Sequence, residues 1–449
     1  MPWRLRRLAR GPDMSLSKLP YKGTRDFFPP QMRQRDHLFA KMREVAEIHG
    51  YEPYDGPMVE ELELYLAKSG EELVNEQIYS FVDRGERKVA IRPEMTPTVA
   101  RMVAQIHREQ AKPLRWYSIP NLMRYEKPQR GRLREFWQYN CDIFGAPEGL
   151  GEVEILQVAT NLLRAFGANE EHFEVLFNDR RVVDAVFGQL LQLDAAGTLK
   201  LYKVVDKAKK VAPEALDKML AEVLPTQAAR AHFKEYLALA SVPALIAYLE
   251  KHGLKDACAG FMPFAERLHG AGLEKCMVYD PTIVRGLDYY TGVVFEIFDK
   301  SPDNRRAICG GGAFANLLQI FDEEPLPGVG FGLGEVTLTD FLRTHGLLPE
   351  FARPDIDLLI AAMEPACEAH AQELARGARA RGLKTELYLG DAKPKKIFQH
   401  TERRGHRAVV FVGSQEIQSG EVEVKRLADQ QKTRIKLEDL EGLARFLKG

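Results

Sequence analysis

Residues 169–274 are written largely in Ala, Leu, Lys and Glu at helical spacing, as in Val182 to Leu193 and Pro243 to Leu249, and they interrupt two stretches of β-rich sequence. Strand character returns at Val284 to Phe298 and Arg306 to Cys309. The spacing therefore predicts one β-rich layer that stops, admits a helical insertion and resumes. At roughly 100 to 200 residues per domain, a chain of 449 residues holds about two to four domains. With 45% hydrophobic and 28% charged residues it can bury sizeable cores, which excludes a disordered or fibrous chain.

Before the insertion, Leu38, Met42, Val45 and Ala46 mark an amphipathic helix between Pro29-Pro30 and Gly50. Short β-rich runs follow at Ile78 to Val82 and Val89 to Ile91, and Thr96-Pro97 predicts an N-cap and first turn of a helix reaching about His107. Two strand-like runs, Arg115 to Glu126 and Arg134 to Phe144, flank a polar loop and read as an antiparallel hairpin. After a break at His345 to Pro354, strands and helices alternate at Ile356 to Ala361, Glu368 to Ala380, Thr385 to Leu389, Pro394 to Arg403 and Ala408 to Val412. That alternation predicts a small α/β domain with a mainly parallel sheet.

The hairpin loop, RYEKPQRGRLR, sets Arg124, Lys127, Arg130, Arg132 and Arg134 against one acid, Glu126. Guanidinium forks at a hairpin tip suit bidentate grip of phosphates, although a solvated charged loop has the same composition. On the following strand Phe136, Gln138, Asn140 and Asp142 share a face, which suits either a small zwitterion or a hydrogen-bonded core pair. RGLDYYTGVVFEIF brings Arg285, Asp288, Tyr289 and Tyr290 to the mouth of another strand, where phenols offer a flat wall and a hydroxyl. In RPEMT, Glu94 and Thr96 stand between strand and helix, close to a ligand's ammonium group or merely at a helix start. Near the C-terminus Lys393, Lys395, Lys396, Arg403, Arg404 and Arg407 are interleaved with Phe398, His400 and His406, a texture that fits single-stranded RNA or a solvated basic helix.

Other chemistries are excluded or weak. GGGAFA at Gly310 to Ala315 fits a loose dinucleotide pattern, read here as a glycine-rich turn before an apolar helix, and it follows a β-run instead of opening a βαβ unit. No Gly-Lys pair supports a Walker loop, and HExxH is absent. The five cysteines (Cys141, Cys258, Cys276, Cys309 and Cys367) form no CxxC pair, which argues against structural zinc and disulfides and fits a cytoplasmic, reducing compartment. A net charge of −1 gives no global pull toward nucleic acid or anionic lipid, so any polyanion must be met by local patches; no DNA partner is expected, and apolar runs are too short to span a membrane. The Arg-bearing start, MPWRLRRLARGPDM, lacks the apolar stretch of a secretory signal; a flexible extension ahead of Met14 is expected, with an organelle-targeting segment as the alternative.

Together GTRDFFP, Pro57, RPEMTP, RYEKPQRGRLREFWQYNCDIFG, RGLDYYTGVVFEIF and the basic C-terminal domain resemble, in order, the histidyl-tRNA synthetase family of class II aminoacyl-tRNA synthetases, from about Lys22 to Lys436. The resemblance implies an α+β fold: an antiparallel class II catalytic sheet with a helical insertion, and a C-terminal α/β anticodon-binding domain. It divides the chain into an extension (1–16), a catalytic domain in two parts (17–168 and 275–345), the insertion (169–274) and the anticodon domain (354–449). It further implies activation of L-histidine by ATP, with magnesium, transfer to tRNA(His), and a homodimer. Residue by residue, Arg124 and Arg285 would meet the reacting carboxylate and α-phosphate, with Glu126 and Arg132 also at the ATP. Glu94, Thr96 and Gln138 would bind the α-amino group, while Asp142 and Tyr289 or Tyr290 hold the imidazole. Gln129 and Arg134 match positions near the tRNA acceptor end, and Lys393, Lys395 and Lys396 belong to the RNA-facing patch. Metal ligands are not assigned.

Two positions depart from the family pattern. Its third motif usually ends Gly-Leu-Glu-Arg, whereas GFGLGEVTL places Val336 and Thr337 there, and its glycine-rich segment usually continues Arg-Tyr-Asp where this chain has Ala313, Phe314 and Ala315. The rival reading is a non-catalytic histidine-binding paralogue of the ATP phosphoribosyltransferase regulatory type, which shares the catalytic-like domain but lacks the C-terminal one.

Overall fold

A computed structural model describes residues 16–67, 76–208, 211–284, 290–304, 306–351 and 354–448. Nearly all of the expected N-terminal extension falls outside them. The chain divides into two compact units, one centred on Asp36–Pro349 and one on Glu350–Gly449, the latter also taking Phe27–Arg35.

The first unit is built on a nine-stranded sheet whose middle is antiparallel. Glu135–Phe144 lies between Leu114–Ser118 and Gly328–Gly334, followed outward by Cys309–Phe314, Val293–Asp299 and Phe173–Asp179. Only the outer pairs, Glu52–Pro53 with Leu114–Ser118 and Phe173–Asp179 with Met277–Tyr279, run parallel. The helices Pro29–Ile48 and Leu150–Ala165 close one face: Leu38, Met42, Val45, Ile155, Leu156 and Leu162 join Tyr139, Cys141 and Ile143 of the central strand in a single buried cluster. Helices Ala195–Lys207, Pro213–Val223, Gln227–Leu237, Val242–Lys251 and Lys255–Gly270 form the insertion. Asp194, Thr226 and Ser241 each cap a helix start by accepting from the backbone N–H three residues on.

Four sequence expectations change. Phe173–Asp179, inside the tract read as helical, is a full strand of the sheet, because its alternate residues Phe173, Val175 and Phe177 are all buried. The first strand of the hairpin breaks into Leu114–Ser118 and Asn121–Met123, since Pro120 has no N–H for the ladder. Cys309–Phe314 is a paired antiparallel strand and not a turn, which removes the dinucleotide reading. The helix Thr96–Ile106 has Met95 at its N-cap, so Thr96 occupies the first helical position and makes no cap.

In the second unit Thr385–Leu387, Ile356–Ala362 and His406–Val412 are parallel, as expected. Glu421–Arg426 and Lys432–Lys436 extend that sheet as an antiparallel ribbon, which sequence reading did not include. Helix Glu368–Ala380 buries Ala371, Leu374, Ala375 and Ala378 at helical spacing.

Candidate active site

The central strand carries the site because its neighbour has almost no side chains on the facing surface. Glu135–Phe144 and Gly328–Gly334 pair in the register Asp142 to Gly330, Asn140 to Gly332 and Gln138 to Gly334. A methyl group on Gly330 would collide with Asp142 Oδ1, and one on Gly332 would lie 2.5 Å from Gln138 Nε2. The alternate glycines therefore leave room for polar side chains to lie across the sheet.

Asp142, Asn140 and Gln138 line a small cavity of about 80 Å³ together with Glu94, Thr96, Arg124 and Tyr290. Asp142 is only 4% exposed, and its Oδ2 accepts a long bond (3.4 Å) from Tyr54 Oη. Burial pushes its carboxyl up to about 7, with the Tyr54 bond opposing. Glu94 is buried as well, on a segment fixed by Arg92. Arg92 Nη1 donates to Asp55 Oδ1 (2.7 Å) and Gly56 O (2.8 Å), and its Nε donates to Asn121 O (3.0 Å).

A larger cavity of about 550 Å³ adjoins the first, and both are lined by Arg124, Gln138, Tyr290, Gly310 and Gly332. Arg124 stands where they meet, its Nε donating to Pro93 O (2.8 Å) and its guanidinium 5.4 Å from the Phe136 ring centre. The larger space is bordered by Glu126, Arg132, Glu296, Val336 and Thr337. Arg132 and Glu126 form an ion pair at 3.0 Å. The hairpin loop closes on itself through reciprocal backbone bonds between Gln129 and Arg132, a turn that needs the positive φ of Gly131 (+72°).

The predicted residues thus separate into groups. Glu94, Thr96, Arg124, Gln138, Asp142 and Tyr290 come together around the small cavity, and Arg124, Glu126 and Arg132 around the large one. Arg285 and Tyr289 lie outside the described residues. Gln129 is exposed at the loop tip. Arg134 is buried: it donates to Tyr21 Oη (2.8 Å) and Glu126 O (3.1 Å), and its guanidinium stacks on Tyr125 at 4.0 Å. Sequence reading missed Tyr54 and Glu296. Tyr54 sits alone after a two-residue strand with no motif around it, and Glu296 looked like an ordinary strand residue inside an apolar run.

In the second unit Lys393, Lys395 and Lys396 are all exposed at the start of helix Pro394–Arg404. Lys393 and Lys396 pair with Asp391 at 3.5 and 2.9 Å, just upstream of the basic window. Arg404, His400 and His406 converge on Glu386, and Arg407 on Asp355 and Asp357. Lys395 and Arg403 have no such partner among the described residues.

Comparison with known proteins matches residues 23–337 to the family described as histidyl-tRNA synthetase and residues 357–445 to the anticodon binding domain. A histidine–tRNA ligase of Leptospira biflexa is 42% identical over 417 residues, 93% of this chain and 94% of the relative. Among solved structures, a histidyl-tRNA synthetase from Nostoc sp. PCC 7120 superposes with a TM-score of 0.79 at 21% identity, covering 96% of this chain and 100% of that one. A structure from Bacillus halodurans titled as an ATP phosphoribosyltransferase regulatory subunit/histidyl-tRNA synthetase reaches 0.74 at 22%, covering 89% and 100%.

Proposed function

The chain belongs to the histidyl-tRNA synthetase family, and on that premise we propose that its two adjoining cavities hold histidine and ATP in line for reaction. The activity is that of an aminoacyl-tRNA ligase: L-histidine and ATP give histidyl-adenylate and pyrophosphate, and the histidyl group then passes to a terminal ribose hydroxyl of tRNA(His). The substrate carboxylate is itself the nucleophile, so the site must align two anions and neutralise charge growing on phosphate oxygens.

The observation that carries this reading is Arg124, which lines both cavities. A guanidinium at that junction offsets the repulsion between an amino-acid carboxylate and an α-phosphate, and it meets the most negative charge when the phosphorus is five-coordinate. Glu94, Thr96 and Gln138 are placed to accept from an ammonium group beside it. Asp142, buried and lining the small cavity, accepts an imidazole N–H; its partner on the other ring nitrogen is assigned to the tyrosine pair Tyr289 and Tyr290, and Arg285 to the carboxylate. A phenyl or isobutyl side chain would leave Asp142 buried and unpaired, which rejects those amino acids without editing.

Arg132 is assigned to the outer phosphates. Glu126 and Glu296 are the carboxylates lining the large cavity, hard oxygen donors of the kind that fit magnesium alongside phosphate oxygens. When bound, that ion offsets triphosphate charge. Gln129 at the exposed loop tip is assigned to the acceptor end of tRNA, and the surface around Lys393, Lys395 and Lys396 to its anticodon arm. The same reading makes the protein a cytoplasmic homodimer; no helix among the described residues is long and apolar enough to cross a membrane. The regulatory-subunit alternative is disfavoured by the anticodon-binding match over 357–445.

Amino-acid-dependent ATP–pyrophosphate exchange, run with each amino acid in turn, tests the reading. Exchange with histidine alone is the expected result, and no exchange with any amino acid favours the regulatory alternative.

A further inference from the structure

We propose that Arg306 is an additional ATP-binding residue, which joins Arg132 in holding the outer phosphates at the loop-tip end of the large cavity. The proposal rests on the assignment of that cavity to ATP and adds a residue that neither the motifs nor the family resemblance had marked.

Position comes first. Gly131, at the tip of the cation-rich loop, and Thr337, at the start of helix Glu335–Thr344, both border the large cavity. A methyl group built on Gly131 would stand 2.9 Å from Arg306 Cδ and 3.4 Å from Thr337 Cγ2. The aliphatic stem of Arg306 therefore lies against the loop tip, next to Thr337. The residues after it, Ala307 and Ile308, are themselves part of the cavity wall.

The segment carrying Arg306 is also held in place. Arg130 Nη2 donates to Asn304 Oδ1 (2.9 Å), and Asn304 Nδ2 in turn donates to Asp299 Oδ2 (2.6 Å) and Thr344 Oγ1 (2.9 Å). Thr337 Oγ1 donates to Ile308 O at 3.3 Å. Loop, helix start and the Arg306 segment are thus tied to one another before any nucleotide arrives, which limits the ordering cost of binding.

Charge supplies the third observation. Among the described residues Arg306 makes no hydrogen bond or ion pair, while its guanidinium is depressed by burial and then by the positive charge of Arg132, with Glu126 opposing. A guanidinium stays protonated, so this like-charge strain is not relieved by losing a proton. It is relieved by an anion received between the two forks, and a triphosphate has the charge and the oxygen geometry to do so. Position 337, where the family pattern leads one to expect an arginine, is a threonine here. Arg306 brings a cation next to Thr337 from the segment that leads into strand Cys309–Phe314.

The test uses the full-length protein and ATP as the probe. Arg306→Ala should weaken ATP binding in titration calorimetry, and raise the KM for ATP in exchange, by about tenfold or more, as expected for loss of a charge-assisted contact. The KM for histidine should stay within about twofold, because the residues around Arg306 (Gly131, Ala307, Ile308 and Thr337) line the large cavity and none of them lines the small one. Arg306→Lys should lose less than Arg306→Ala, and Thr337→Arg in the Arg306→Ala background should restore a substantial part of the affinity. Unchanged ATP affinity in correctly folded Arg306→Ala, or equal losses for ATP and histidine, overturns the proposal, as does an absence of ATP binding by the unsubstituted protein. Exchange by the unsubstituted protein is read separately: if it binds ATP in an Arg306-dependent way yet activates no amino acid, the assigned reaction fails and the Arg306 site stands.

Discussion

The two cation-rich segments of this protein look alike in sequence and differ in what their charges are free to do. In the hairpin loop Arg124 and Arg132 border cavities whose carboxylates are few, and an ion pair, Arg132 with Glu126, sits at the cavity edge. In the segment Lys393–Arg407 most cations are already engaged: Lys393 and Lys396 by Asp391, Arg404 by Glu386, Arg407 by Asp355 and Asp357. A count of basic residues therefore says little about a binding site until the acids that share its space are known. The first segment focuses field into a confined, partly desolvated space; the second spreads it over solvent, where each pair is worth little and salt screens it.

The largest effect expected from breaking this contrast is at Arg124. Arg124→Ala should lower kcat/KM for histidine-dependent pyrophosphate exchange by about a thousandfold, the scale of losing a preorganised charge at the reacting phosphate. Asp142→Asn comes next, with the KM for histidine rising by about a hundredfold. Its stability should change in the opposite direction. The folded carboxyl titrates at about 7, above its unfolded value of about 4, so ionisation is penalised in the fold and the native protein loses stability as pH rises between those values. The Asn variant should lack that loss and be more stable above pH 7 by at most roughly 4 kcal/mol, a difference that thermal melts at pH 5 and pH 8 would measure. Equal melting shifts at the two pH values would contradict the account of Asp142.

Gly330→Ala should raise the KM for histidine by about tenfold, because the new methyl displaces the Asp142 carboxylate, with a smaller effect on the KM for ATP. The smallest effects belong to the start of helix Pro394–Arg404. Lys395→Ala should weaken tRNA binding by about threefold and reduce the salt slope by about one, measured by filter binding across ionic strengths. Asp391→Asn should tighten it by about twofold by releasing Lys393 and Lys396. A loss instead of a gain would show that Asp391 orients those lysines and does not merely neutralise them.

Much of this was legible before any coordinates. The C-terminal alternation was readable because its helices bury one clean stripe and its strands are short apolar runs between polar turns. The central strand was readable because Gln138, Asn140 and Asp142 alternate on a segment otherwise too apolar to be exposed. Phe173–Asp179 was not, since a single buried strand flanked by helices lacks a turn signal to announce it. Gly310–Gly312 pointed toward a turn, yet Gly311 and Gly312 serve close approach between strands and rings: a methyl on Gly311 would lie 2.7 Å from Phe295 Cζ, and one on Gly312 2.9 Å from Tyr290 Cδ1. Glu296 lines the large cavity, Tyr54 touches Asp142 and Arg306 lies against Gly131, each from a segment far along the chain from its neighbour, and only the tertiary arrangement reveals these contacts.

The glycine-lined strand has one more effect. A sheet normally gains cohesion from side chains interlocking across its surface, and Gly328–Gly334 forgoes this at alternate positions, so that here the sheet relies on its backbone ladder alone. On the proposed reading, amino acid and nucleotide provide the atoms that the polypeptide left out, and the loaded protein should resist heat better than the empty one, increasingly so as ligand concentration rises above Kd. In this fold the reactants complete the interior as well as being converted within it.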